Sequence, residues 1–118
     1  MIRQITELTD VTDIVEALGA FGIVSDKQGM IDEIGGNTDC RLYWLARKLC
    51  HAARLLDGKP AKNVVDEYES PDEIVWDLGF RGIVTDKAGM LEEMRANVNG
   101  RLYWLGRKGL NHLRQKDI

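Results

Sequence analysis

The sequence predicts an all-α protein, and three observations carry that expectation. Apolar residues recur at helical spacing in successive stretches, and no stretch alternates as a half-buried strand would. Prolines, glycines, asparagines and aspartates punctuate those stretches where helices start and stop. Residues 14–51 also realign with 74–111 at an offset of 60, with 20 of 38 positions identical and no gap. Two copies of about 48 residues are each marginal alone. The expected architecture is therefore a tandem pseudo-symmetric duplication of a three-helix unit, packed as one compact domain over 1–118. The first unit covers 10–57, a linker 58–70, and the second unit 71–118.

Each unit opens with a capped helix. Asp10 is a good N-cap, and Ser70-Pro71-Asp72-Glu73 reads as a capping box with proline at the first helical position. Ile14, Val15 and Leu18 share one face, as do Ile74, Val75 and Leu78. Gly19 and Gly79 are expected to stop these helices. Short connectors follow, Gly22-Ile23-Val24 and Gly82-Ile83-Val84, whose branched residues plug the core.

The second helices are expected to be capped by Ser25 and Thr85. Their apolar stripes are Met30, Ile31 and Ile34, matched by Met90, Leu91 and Met94. Asn37 and Asn97 suit the exit turns, and Asp39 and Asn99 the next N-caps. The third helices are the longest and run to about Leu56 and Gln115. The linker GKPAKNVVDEYES has room for one helical turn.

RLYWLARK at 41–48 returns as RLYWLGRK at 101–108. At about 100° per residue, Leu42, Leu45, Ala46, Leu49, Ala53 and Leu56 form the core side. Tyr43, Trp44, Arg47 and Arg54 point away from it, as do Tyr103, Trp104, Arg107 and Arg114. Trp, Tyr and Arg are the residues most enriched in binding hot spots. Either the two faces cover each other as a seam, or they bind a partner, or they pair between copies of the chain. The units also differ: Glu16, Ala20 and Phe21 become Trp76, Phe80 and Arg81. That set is a second candidate face, unless it packs on Val64, Val65 or Tyr68. Gly106 and Gly109 replace Ala46 and Leu49, which predicts close approach of another backbone.

Chemistry is sparse. His51 and His112 do not align with each other and have no metal-ligand spacing. Asp32-Glu33 and Glu92-Glu93 are adjacent, so they diverge on a helix. No phosphate loop or nucleophile–base arrangement is evident. No enzymatic activity, metal or cofactor is expected. Cys40 and Cys50 sit about 15 Å apart along a helix and cannot bridge each other. MIRQITELTD lacks the features of a secretory signal, so a cytoplasmic location is expected.

With 16 basic and 19 acidic residues, the net charge of −3 weighs against non-specific phosphate binding. The expected function is that of a small non-catalytic protein-binding module. It would be an inhibitor or adaptor that docks on or occludes a partner protein complex, analogous to those of phages or mobile elements. The alternatives are a helix-turn-helix-like DNA-binding regulator with two reading heads, or a single-stranded nucleic-acid binder stacking bases on Trp44 and Trp104.

Overall fold

The computed structural model describes residues 5–63 and 65–116. Among them are six α-helices and no strand. They are α1 (Val11–Ala20), α2 (Lys27–Gly35), α3 (Arg41–Leu55), α4 (Pro71–Phe80), α5 (Lys87–Ala96) and α6 (Arg101–Lys116). Helix α1 packs on α2 and α3, α4 packs on α5 and α6, and α3 crosses α6 to join the two sets. One continuous apolar core results, from Ile14 and Leu18 through Leu49 to Leu78 and Leu113. The radius of gyration, 13.4 Å, is what a compact chain of this length should have, about 13.5 Å.

Capping explains most boundaries and revises several expectations. Asp10 caps α1 by accepting from the Asp13 amide. Ser70 is the N-cap of α4 with Pro71 behind it, but its side chain makes no capping bond, so the expected capping box is not formed. Asp26 and Asp86, rather than Ser25 and Thr85, cap α2 and α5, accepting from the Gly29 and Gly89 amides at 3.1 Å. Cys40, not Asp39, is the N-cap of α3. Asp39 and Asn99 instead lie in turns where their own amides donate to the Asn37 and Asn97 side chains.

Gly19 and Gly79 do not stop their helices; Gly22 and Gly82 do. The latter have φ of 80° and 78°, the left-handed conformation that favours glycine. The Gly22 and Ile23 amides donate back to Gly19 and Leu18, both at 3.0 Å, closing a Schellman turn. Gly82 and Ile83 repeat it with Gly79 and Leu78. The turn aims Val24 and Val84 into the core, where both are buried. Helix α2 buries Met30 and Ile34, and α5 buries Met90 and Met94.

The linker forms no helical turn among its described residues, and Val64 lies outside them. Cys40 and Cys50 are free thiols; Cys50 is buried, which pushes its pKa up.

Candidate functional site

Most of the repeated aromatic and basic side chains are engaged within the chain, while Trp44 and Trp104 keep an exposed edge. Each long helix uses the engaged ones to hold an extended segment of its own chain. On α3, Arg54 donates to the Thr6 carbonyl at 2.8 Å and Tyr43 to the Thr9 carbonyl at 2.7 Å. Between them the Glu7 carboxylate pairs with Arg47 and with Lys48 at 3.2 Å. On α6, Arg114 donates to the Asp66 carbonyl and Tyr103 to the Glu69 carbonyl. The Glu67 carboxylate pairs with Arg107 and with Lys108 at 3.3 Å.

Tyr43 and Tyr103 are therefore buried, although they point away from the helical core stripe. The segments before α1 and α4 cover them. Burial alone would raise the Glu7 pKa, but hydrogen bonds and charge from Lys48 and Arg47 outweigh it and hold it below the usual carboxylate range. The sequence carries one sign of this arrangement. Glu7 and Glu67 keep the offset of 60 upstream of the obvious repeat, as the only identical pair from 5–9 to 65–69.

Trp44 and Trp104 stay partly open, at 42% and 40% exposure. Arg47 stacks on Trp44 at 4.6 Å and Arg107 on Trp104 at 4.7 Å, so one side of each indole is covered. Each tryptophan edges a shallow groove completed by the connector of the other helix set. Trp44 faces Ile83, Val84 and Thr85, and Trp104 faces Ile23, Val24 and Ser25. Arg41 closes the first groove by pairing with Asp86 at 2.9 Å and Glu93 at 3.3 Å. Arg101 closes the second by pairing with Asp26 at 3.0 Å and Glu33 at 3.1 Å.

The other face predicted from sequence is open. Trp76 is 70% exposed and Phe80 is 87% exposed, one turn apart on α4. They rim a groove of about 640 Å³ with Tyr68, Glu73, Asp77 and Arg81. Trp76 stays open although Tyr68 of the linker lines the same groove, and Val64 lies outside the described residues. Tyr68 is instead held under the Arg114 guanidinium, 3.8 Å from its ring centroid, and packs on the core. Arg81 is tied to Asp77 at 2.9 Å, which fixes one edge of the groove.

Helix α1 presents different chemistry at the same positions. Glu16 pairs with Lys27 at 3.0 Å, where on α4 Lys87 sits 4.3 Å from the Trp76 ring. Ala20 replaces Phe80, and Phe21 turns inward against His112, with ring centroids 5.3 Å apart. The large exposed rings thus belong to α4 alone of the two helices.

No protein-family model, curated protein or solved structure matches this chain. Among the described residues, no group of three His, Cys, Asp or Glu side chains could hold a metal ion, and no helix is long and apolar enough to cross a membrane. His51 and His112 are half-buried, each with one buried ring nitrogen that has no hydrogen-bond partner among the described residues.

Proposed function

We propose that the protein is a non-catalytic docking module, an inhibitor or adaptor acting in the cytoplasm, whose contact face is the Trp76–Phe80 face of α4. The observation that supports this reading most is the exposure of two large rings one turn apart, beside a groove, where α1 carries Glu16 and Ala20. Aromatic residues bury roughly 150–250 Å² each. At ~25 cal/mol per Å², covering both rings supplies a gross gain on the order of several kcal/mol, before association entropy is subtracted. Such a helix inserts its anchors into an apolar groove of a partner protein.

The same reading takes the chain as a tandem duplication, with units 10–57 and 71–118 related by a pseudo-twofold. The matching cross-pairs Arg41–Asp86 and Arg101–Asp26 support that relation. One unit would then present a polar helix, and the other would carry the docking face.

The DNA-reading and strand-stacking alternatives draw support from Trp44 and Trp104, which are partly open. They are weakened because Arg41, Arg47, Arg101 and Arg107 already hold carboxylates with which a phosphate would have to compete.

Site-specific photo-crosslinking tests the reading. A benzophenone amino acid is placed at Trp76 and, as a matched control, at Glu16. Crosslinking to one defined protein from position 76 and not from 16 is the expected result, with binding of that purified protein lost on Trp76→Glu. Equal crosslinking from both positions, or adducts with nucleic acid that vanish as salt rises, would defeat it.

A further inference from the structure

The cradle on α3 carries its own information about what it binds, because the molecule holds two filled examples. Thr6-Glu7-Leu8-Thr9 lies on α3 and Asp66-Glu67-Tyr68-Glu69 on α6. The two segments share only the glutamate. Their contacts nevertheless agree point for point. A guanidinium takes the carbonyl before the glutamate, an arginine and a lysine take its carboxylate, and a tyrosine hydroxyl takes the carbonyl two residues after it. The residue following the glutamate, Leu8 or Tyr68, packs on the core edge.

Two of the three accepting groups are therefore backbone carbonyls, which every sequence possesses. Side-chain selection is left to one carboxylate and one apolar neighbour. That is a recognition rule for an extended acidic segment with glutamate followed by a large apolar residue.

The occupant of α3 is held in a way that permits replacement. Residues 5–9 make no backbone–backbone hydrogen bond among the described residues, and none of residues 5–10 is fully buried. Segments with so little buried surface open locally at low cost. The cradle is better fixed than its occupant: its four side chains rise from α3, whose own core stripe is buried, and Arg47 is braced on the Trp44 ring at 4.6 Å.

We infer that the α3 cradle of Tyr43, Arg47, Lys48 and Arg54 is an exchangeable binding site for an extended glutamate-containing segment of a partner protein, with Thr6–Thr9 as its resident occupant. This site uses a helix other than α4, so it stands independently of docking through Trp76.

The test uses the full chain carrying Glu7→Arg, which sets the resident segment against Arg47 and Lys48 and empties the cradle. The probe is a fluorescein-labelled peptide with the sequence of residues 5–10, ITELTD. Its anisotropy should report binding to the Glu7→Arg chain about tenfold or more tighter than to the unsubstituted chain, where the tethered segment competes at high effective concentration. A peptide with glutamine for glutamate should bind about tenfold more weakly, since the charge-assisted contacts are lost. Adding Arg54→Ala should weaken binding by a similar factor. Should Glu7→Arg disturb folding, Glu7→Gln carries the same comparison. Absence of binding to a variant with native helical circular dichroism, or equal binding of the two peptides, overturns the inference.

Discussion

Lys27 and Lys87 occupy the same place in the two helix sets and show how one residue can serve opposite surfaces. A Cβ at Gly19 would lie 2.7 Å from the Lys27 Cδ, and one at Gly79 would lie 2.6 Å from the Lys87 Cδ. The glycines thus leave room for each lysine stem to cross the preceding helix. Where the stem emerges, its ammonium meets Glu16 in one set and the Trp76 ring in the other. An exposed ion pair and an exposed cation–π contact are each worth at most about 1 kcal/mol. Trp76→Glu should therefore change stability by no more than about 0.5 kcal/mol, the usual range for surface substitutions. Ile74→Ala, two residues away and fully buried, should cost about 2–5 kcal/mol. Urea unfolding of both variants checks the contrast. A large loss for Trp76→Glu would mean that the ring supports the fold.

Helix α6 contains two glycines that differ in what surrounds them. A Cβ at Gly106 would meet the tip of Met94 at 2.7 Å, and the end of a methionine side chain moves easily. A Cβ at Gly109 would meet both Cδ atoms of Leu49, at 2.5 and 2.8 Å, and its Cγ at 3.1 Å. Leu49 is fully buried, so the whole side chain would have to shift inside the core. The close approach expected from sequence is thus made by side chains and not by a neighbouring backbone. Alanine gains up to about 1 kcal/mol of helix propensity over glycine. Gly106→Ala should consequently be neutral or stabilising by up to about 1 kcal/mol. Gly109→Ala should be destabilising by about 1–2 kcal/mol, because overpacking costs about 1–3 kcal/mol. Thermal and urea midpoints of the two variants should move in opposite directions or, at the least, separate clearly.

At the scale of the whole molecule, reciprocal ion pairs flank the α3–α6 crossing. Arg41 reaches Asp86 and Glu93, while Arg101 reaches Asp26 and Glu33. Gly89 and Gly29 make room: a Cβ at either would fall within 2.3 Å of the crossing guanidinium or of the capping aspartate. The Asp26 carboxyl is held below the usual range by the Gly29 amide first and by Arg101 second. Asp86 is held down in the same way by Gly89 and Arg41. A folded-state pKa below the unfolded one gives a contribution that is complete at neutral pH and is lost as pH falls below about 4. The unfolding midpoint should therefore drop in that acidic window. A chain with Asp26→Asn and Asp86→Asn should be less stable at pH 7 and decline less steeply in acid. Parallel acid profiles for the two proteins would exclude these pairs as contributors.

Helices are set by local patterns, and those patterns are written in the chain. Apolar spacing, Asp10 as N-cap, Pro71 at the start of α4 and the long third helices were all legible without coordinates. The exposure of Trp76 was only half legible: it aligns with Glu16, which suits an open face, but the sequence equally allowed it to pack on the linker. The less legible features depend on segments distant in sequence. Tyr43 lies off the core stripe, and only the path of residues 5–9 across α3 buries it. The repeated arginines look like a free basic face until Glu7, Glu67, Asp26 and Asp86 arrive from elsewhere in the chain. Periodicity reports which side of a helix faces its own core. What covers the other side is decided by tertiary contacts, since those partners have no fixed spacing along the sequence.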